Sequence, residues 1–124
     1  MARPPQEGLT ARESQIMEVI WTDGEASVEH IQAKLPTPLA DSTIRTLLSI
    51  MAKKGYVDFR KAGKAKIFAP LIAREDAQKS ALRLLADRLF GGSADLLLAR
   101  LVEDEQVSAE ELDRLGKKLR DRRR

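Results

Sequence analysis

The sequence predicts a mainly α-helical fold with one small β-hairpin, and three observations indicate this class. Apolar side chains recur at helical spacing in two short segments before residue 36 and in a third that begins near residue 41. Directly after the third segment the apolar period changes from 3.6 residues to 2, which is the period of a strand. After residue 72 the helical period returns in three leucine-rich segments. This order predicts a winged helix-turn-helix domain followed by a helical region.

The first helix is expected to start at a capping box, because Thr10 precedes Glu13 by three residues. Met17 and Trp21 would lie on the flanks of its apolar face, and Gly24 would follow its end. The side chains expected to face inward are Ile16, Val19 and Ile20.

A second helix is expected over Val28–Leu35, with Ser27 as its cap and a short strand over residues 26–28 before it. Pro36 and Pro38 prevent this helix from continuing.

The third helix has one apolar face and one polar face. Asp41 or Ser42 is expected to cap its start, and Gly55 to end it. The apolar stripe comprises Ile44, Leu47, Leu48 and Met51. The opposite arc is short, polar and cationic, so it can approach another surface closely, and it comprises Ser42, Arg45, Thr46, Ser49 and Lys53.

The hairpin is expected to have strands over residues 56–60 and 65–69, joined by a turn over 61–64. Val57 and Phe59 would point to one face. The opposite face would carry Tyr56, Asp58 and Arg60.

Positive charge is concentrated on the third helix and the hairpin. Residues 41–66 carry a net charge of +5, against −3 over residues 1–40. Such an excess fits a phosphate-binding surface, with the helix in the major groove and the hairpin beside it. Arg45 could read guanine or clamp a phosphate. The candidate DNA contacts are Ser42, Thr43, Arg45, Thr46, Ser49, Lys53, Arg60, Lys61, Lys64 and Lys66. The alternative interpretation is that these residues form a solvated surface that binds no nucleic acid.

The C-terminal helices carry more leucine than so small a set can bury alone. A second copy of the same segment would cover these side chains, which predicts a twofold homodimer; packing against the winged helix is the alternative. The candidate dimer residues are Leu82, Leu85, Leu89, Phe90, Leu97, Leu98, Leu101, Leu112 and Leu115. The predicted divisions are an arm over 1–8, a winged-helix DNA-binding domain over 9–72, a helical dimerisation region over 73–119 and a basic tail over 120–124.

Composition excludes several classes of function. The 124 residues contain no cysteine, which excludes a disulfide scaffold and thiolate metal sites and fits a reducing cytosol. We expect a cytoplasmic protein without membrane insertion, because no signal segment and no apolar run of roughly 20 residues is visible. His30, the single histidine, is expected on a helix surface, so no metal site or cofactor is predicted. We find no nucleophile elbow, P-loop or dinucleotide turn, and we predict no enzyme.

The motifs together resemble those of the penicillinase-repressor family of bacterial transcriptional regulators, the BlaI/MecI type. The matching segments are Leu9–Glu13, Met17–Trp21, Ser42–Leu47, Lys53–Val57, Phe68–Pro70 and Leu89–Ser93. The resemblance spans about Leu9 to Leu119. It implies a winged-helix repressor that is dimeric through its C-terminal helices and binds palindromic, inverted-repeat operators in double-stranded DNA.

The resemblance does not extend to the family's switches. In its β-lactam-responsive members a membrane sensor-protease leads to cleavage at an Asn-Phe bond, and this sequence has no asparagine; Ile67-Phe68 lies in the corresponding region. Its copper-responsive members use a cysteine pair, which is absent here. A sensor-protease partner, and an activator in place of a repressor, are therefore left open. The alternative function is a winged-helix protein–protein module with only non-specific affinity for DNA.

Overall fold

The computed structural model describes residues 7–122, so the predictions for residues 1–6 and 123–124 lie outside the described residues. The elements are α1 (Ala11–Asp23), β1 (Ala26–Ser27), α2 (Val28–Lys34), α3 (Asp41–Lys54), β2 (Val57–Ala62), β3 (Ala65–Pro70), α4 (Arg74–Leu89), α5 (Ala94–Glu103) and α6 (Ala109–Arg122). The chain divides into two compact units, of which one ends at Leu82 and the other begins at Arg83.

The three strands form an antiparallel sheet in the order β1-β3-β2. The hairpin is longer than predicted, because Ala62 pairs with Ala65 and leaves only Gly63 and Lys64 in the loop. Gly63 has φ +64°, a left-handed conformation that glycine adopts without steric cost. Lys61 therefore lies within β2 and not in the turn.

The core of the first unit lies between α1, α2, α3 and the sheet. The apolar faces predicted for α1 and α3 pack in the core, although Leu47 of α3 is only partly buried. Met17 was predicted on the flank of α1, and this is wrong, because its side chain is fully buried. Contacts of α1 with α2, α3 and the sheet explain the difference, since they cover a wider arc than one stripe. The fully buried apolar side chains are Ile16, Met17, Ile20, Ile31, Ile44, Leu48, Met51 and Val57.

Tyr56 was predicted to share a face with Asp58 and Arg60, and this is also wrong. It precedes β2, so strand alternation does not apply to it, and it is buried. Its hydroxyl donates a hydrogen bond to the carbonyl oxygen of Glu7 at 2.8 Å, and burial raises its pKa.

The capping box at the start of α1 is present and extends into a buried ion pair. The amide of Glu13 donates to Thr10 Oγ1 at 3.2 Å, and the amide of Thr10 donates to Glu13 Oε1 at 2.8 Å. The same Oε1 accepts from Lys54 Nζ at 2.8 Å, and Lys54 Nζ also donates to the carbonyl of Gly8. Burial would raise the pKa of Glu13, but these bonds and the charge of Lys54 outweigh it and lower that pKa. The start of α1 is thereby tied to the end of α3.

Helix α3 begins differently from the prediction. Its N-cap is Ala40, which has no side-chain hydrogen bond, and Asp41 is already helical. The carboxylate of Asp41 binds Arg45 one turn later and caps nothing. Gly55 ends α3 in the left-handed conformation, as predicted, with φ +91°.

The second unit is formed by the end of α4 with α5 and α6. Ser93 caps α5 through its hydroxyl, and Ser108 and Glu111 form the predicted capping box of α6. In α5 and α6 no residue is buried. The apolar side chains of both helices are therefore at most partly covered within the described chain.

Candidate nucleic-acid interface

The outward face of α3 is fixed by its inward face. Ile44, Leu48 and Met51 are buried in the core of the first unit, so the opposite arc of the helix must face away from it. All six α3 residues predicted to contact DNA are exposed, namely Ser42, Thr43, Arg45, Thr46, Ser49 and Lys53.

Arg45 is held by the carboxylate one turn before it. Its Nε donates to Asp41 Oδ1, and both side chains stay substantially exposed, at 59% and 46%. This hydrogen bond, the charge of Asp41 and the charge of Glu29 raise the pKa of Arg45. Within residues 7–122, Nη1 and Nη2 of Arg45 have no hydrogen-bond partner, so the outer edge of the guanidinium is open.

The hydroxyl of Thr46 is partly engaged within the helix. Its Oγ1 donates to the carbonyl oxygen of Ser42 at 3.0 Å. The remaining lone pairs can accept a hydrogen bond from a base amino group, and the methyl group is free for hydrophobic contact with a thymine methyl.

The wing formed by β2 and β3 places like charges next to each other. Lys61 and Lys66 are cross-strand partners and share one face of the hairpin. Like charges directly opposite are unfavourable in an isolated sheet, and an anion bound between them would relieve the repulsion. Lys66 Nζ lies 4.4 Å from the ring centroid of Phe59, which packs against Phe68. In the described part of the chain, no carboxylate lies in ion-pair range of Lys61, Lys64 or Lys66.

Arg60 has a different environment from the wing lysines. It alternates to the other face of the hairpin and pairs with Glu25 at 2.8 Å. A phosphate contact by Arg60 would therefore compete with that carboxylate.

A groove connects α3 with the wing. It has a volume of about 240 Å³ and brings Arg45 together with Lys64 and Lys66. Its other lining residues are Ser27, Val28, Glu29 and Ala65. Side chains that are about 20 positions apart in sequence thus border one concave, mostly cationic surface.

The sequence assigns no DNA-facing role to Asp41, Ile50 or Phe59, which lie on α3 or the wing and are not buried. Asp41 was treated as a cap, although its spacing of four residues from Arg45 is that of a helical ion pair. Ile50 belongs to neither the predicted stripe nor the predicted arc of α3 and is 40% exposed, and Phe59, which was predicted to share a face with Val57, is 42% exposed. For Phe59 no sequence signal was available, because strand alternation does not reveal where the core ends.

Comparison with known proteins agrees with this architecture. Residues 9–121 match the sequence model of the penicillinase repressor family. The chain belongs to the penicillinase repressor family. The family proposed from the motifs is thereby confirmed.

Individual relatives align over most of their length. The methicillin resistance regulatory protein MecI of Staphylococcus aureus is 26% identical over 109 residues, which cover 86% of this chain and 89% of that protein. The penicillinase repressor of Bacillus licheniformis is 25% identical over 117 residues, which cover 93% of this chain and 90% of that protein.

A solved structure confirms the predicted fold class. The solution structure of the DNA-binding domain of the repressor BlaI is 27% identical, with a TM-score of 0.52. The match covers 61% of this chain and 93% of that domain. The fold is therefore mainly helical with a small wing, of the winged-helix class.

Two structural features, a helix able to span a membrane and a cluster able to hold a metal ion, are absent from residues 7–122. None of the helices there has both the length and the apolar character needed to span a bilayer. In the same residues, no three His, Asp or Glu side chains are grouped closely enough to hold a metal ion.

Proposed function

We propose that this chain is a cytoplasmic transcriptional repressor that binds an inverted-repeat operator as a homodimer. The bound dimer covers promoter DNA and blocks transcription, and the chain acts by binding and not by catalysis. The names of its relatives, which are repressors and a resistance regulator, support this role.

The observation that carries this proposal is the concave surface between α3 and the wing. Arg45 of α3 borders this groove together with Lys64 and Lys66, and the other five predicted contacts of α3 are exposed on the same helix. A helix with small polar side chains fits the major groove, and lysines beside it fit the flanking phosphates. The α3 side chains are expected to read bases and the wing lysines to contact phosphates, whereas Arg60 pairs with Glu25 on the other face of the hairpin.

The homodimer is supported by the uncovered leucines of the C-terminal helices. Leu89 is 73% exposed, Leu82 is 55% exposed and Leu115 is 50% exposed. Monomeric proteins rarely expose so many large apolar side chains together. In the second unit a groove of about 480 Å³ is bordered by Phe90, Leu97 and Leu101, among other residues, and could receive side chains of a second copy. All nine predicted dimer residues lack full burial in the single chain.

The test is selection of random DNA duplexes by the full-length chain at near-physiological salt. We expect enrichment of an inverted repeat whose half-sites lie about one duplex turn apart, because each protomer presents one α3. Binding without enrichment, lost as salt rises, would contradict the repressor and favour the protein–protein module.

Charge reversal tests the surface itself. Lys64→Glu with Lys66→Glu should weaken binding of the selected duplex at least about tenfold and lower the salt dependence by about two counterions, because each lysine is expected to neutralise one phosphate. Lys117→Glu with Lys118→Glu makes the same two charge reversals on α6 and should leave the affinity unchanged. Equal effects of the two changes would indicate a general charge effect and not a wing contact.

A further inference from the structure

We propose that Asp41 is a specificity-determining residue that positions Arg45 for end-on reading of guanine. This inference rests on the proposed function, since it concerns the same DNA-binding surface. It assigns a role to the acidic side chain at the start of α3, whose partner Arg45 lines a groove with Lys64, Lys66 and one carboxylate, Glu29.

The position of Asp41 is not explained by helix capping. Ala40 is the N-cap, and Asp41 is the first helical residue. Its carboxylate turns along the helix to Arg45, so an aspartate well suited to capping is used to hold a guanidinium instead.

The ion pair with Asp41 leaves the two terminal nitrogens of the Arg45 guanidinium free to bind a base. Asp41 occupies Nε, whereas Nη1 and Nη2 have no hydrogen-bond partner within residues 7–122. Those two groups form a parallel pair of donors that matches the O6 and N7 acceptors of guanine in the major groove. A guanidinium held at Nε also loses less rotational freedom on binding than a free one.

The negative charge of Asp41 also favours a base contact by Arg45 over a phosphate contact. A carboxylate offers only acceptors, so it repels phosphate and finds donors in the major groove only on cytosine and adenine amino groups. Glu29, whose charge also acts on Arg45, lines the groove together with Lys64 and Lys66. Asp41 therefore disfavours the backbone contact that an unrestrained arginine would make with any sequence.

The experiment repeats the duplex selection with the full-length wild type, Asp41→Ala, Asp41→Asn, Arg45→Ala and the double variant Asp41→Ala with Arg45→Ala. We expect the wild type to select a guanine in each half-site that Arg45→Ala no longer selects. Asp41→Ala should reduce that guanine preference at least about fivefold and raise the affinity for mixed-sequence duplex. Asp41→Asn keeps an acceptor for Nε and should retain more of the guanine preference than Asp41→Ala.

Two comparisons distinguish a role of Asp41 in positioning Arg45 from a role in stabilising helix α3. In the double variant, removal of Asp41 should cause no further change in base preference, because its effect passes through Arg45. Glu75→Ala removes a similar pair, with Lys79, from the first turn of α4 and should leave base preference unchanged. An unchanged guanine preference in Asp41→Ala would overturn the inference while leaving the repressor intact. If the wild type selects no sequence at all, the proposed function fails and this inference fails with it.

Discussion

At the scale of single residues, the buried carboxylate of Glu13 is the contact that holds the start of α1 against the end of α3. It is 1% exposed and accepts hydrogen bonds from the Thr10 amide and from Lys54. Lys54 immediately precedes the glycine that ends α3, so this pair also fixes the base of the helix that carries the predicted DNA contacts. Removing either charge of this pair should therefore lower the stability of the fold, and DNA affinity should fall only as a consequence of that loss.

We expect Lys54→Met to lower the free energy of unfolding by about 3 kcal/mol, because it leaves the Glu13 carboxylate buried without its countercharge. The measurement is urea unfolding of the full chain at neutral pH. Adding Glu13→Gln to Lys54→Met should restore part of the loss, since the remaining group is neutral. If the double variant were no more stable than Lys54→Met, the buried charge would not be the cause.

The Glu13 pair also predicts a dependence on pH. The pKa of Glu13 is lowered in the folded state from its ordinary value of 4.5, so its contribution to stability is complete above that value and is lost as the pH falls through the folded-state pKa. Between pH 7 and pH 3 the wild type should therefore lose more unfolding free energy than Glu13→Gln. Equal losses in urea titrations at the two pH values would contradict this assignment.

At the scale of elements, two glycines in helical contexts should respond oppositely to alanine. Gly55 has φ +91° and open space where a Cβ would lie, so only backbone strain opposes Gly55→Ala. Gly116 lies inside α6, where a Cβ would meet Arg120 Nη1 at an ordinary distance of 3.6 Å. We expect Gly55→Ala to cost about 1 kcal/mol and Gly116→Ala to add up to about 1 kcal/mol of stability.

Thermal unfolding of the two alanine variants beside the wild type would check these opposite signs. A destabilised Gly116→Ala would mean that this position packs closely against something outside the single chain, for example a second copy. If Gly55→Ala were neutral, it would contradict the expectation that the left-handed conformation of residue 55 is strained for alanine.

At the scale of the whole molecule, the exposed leucines of the C-terminal helices make the oligomeric state the property that tests the proposed homodimer most directly. Leu89→Asp places a charge on the most exposed of the predicted dimer residues and should give monomers in sedimentation, because an unpaired charge is costly in an apolar interface. Leu71→Asp is a matched control in the first unit, since Leu71 is 45% exposed and is not a predicted dimer residue. A dimer that persists in Leu89→Asp would mean that another surface joins the protomers.

Local sequence signals determined much of the fold. Capping residues and spacing alone predicted the first helix, the end of α3 at Gly55 and the capping box of α6. These features depend on residues within four positions of each other, so their physics is contained in a short stretch of sequence. The arc of α3 that carries Ser42, Arg45 and Ser49 was predicted for the same reason.

Tertiary structure decided the features that depend on distant parts of the chain. Met17 is buried because three neighbours surround α1, and Tyr56 is buried because it packs in the core of the first unit, where its hydroxyl reaches the carbonyl of Glu7. Glu13 meets Lys54 across 41 positions, and Arg45 meets the wing only when α3 and the hairpin pack on one core. Periodicity records which face of an element is apolar, whereas burial and charge pairing also depend on which other elements cover that face.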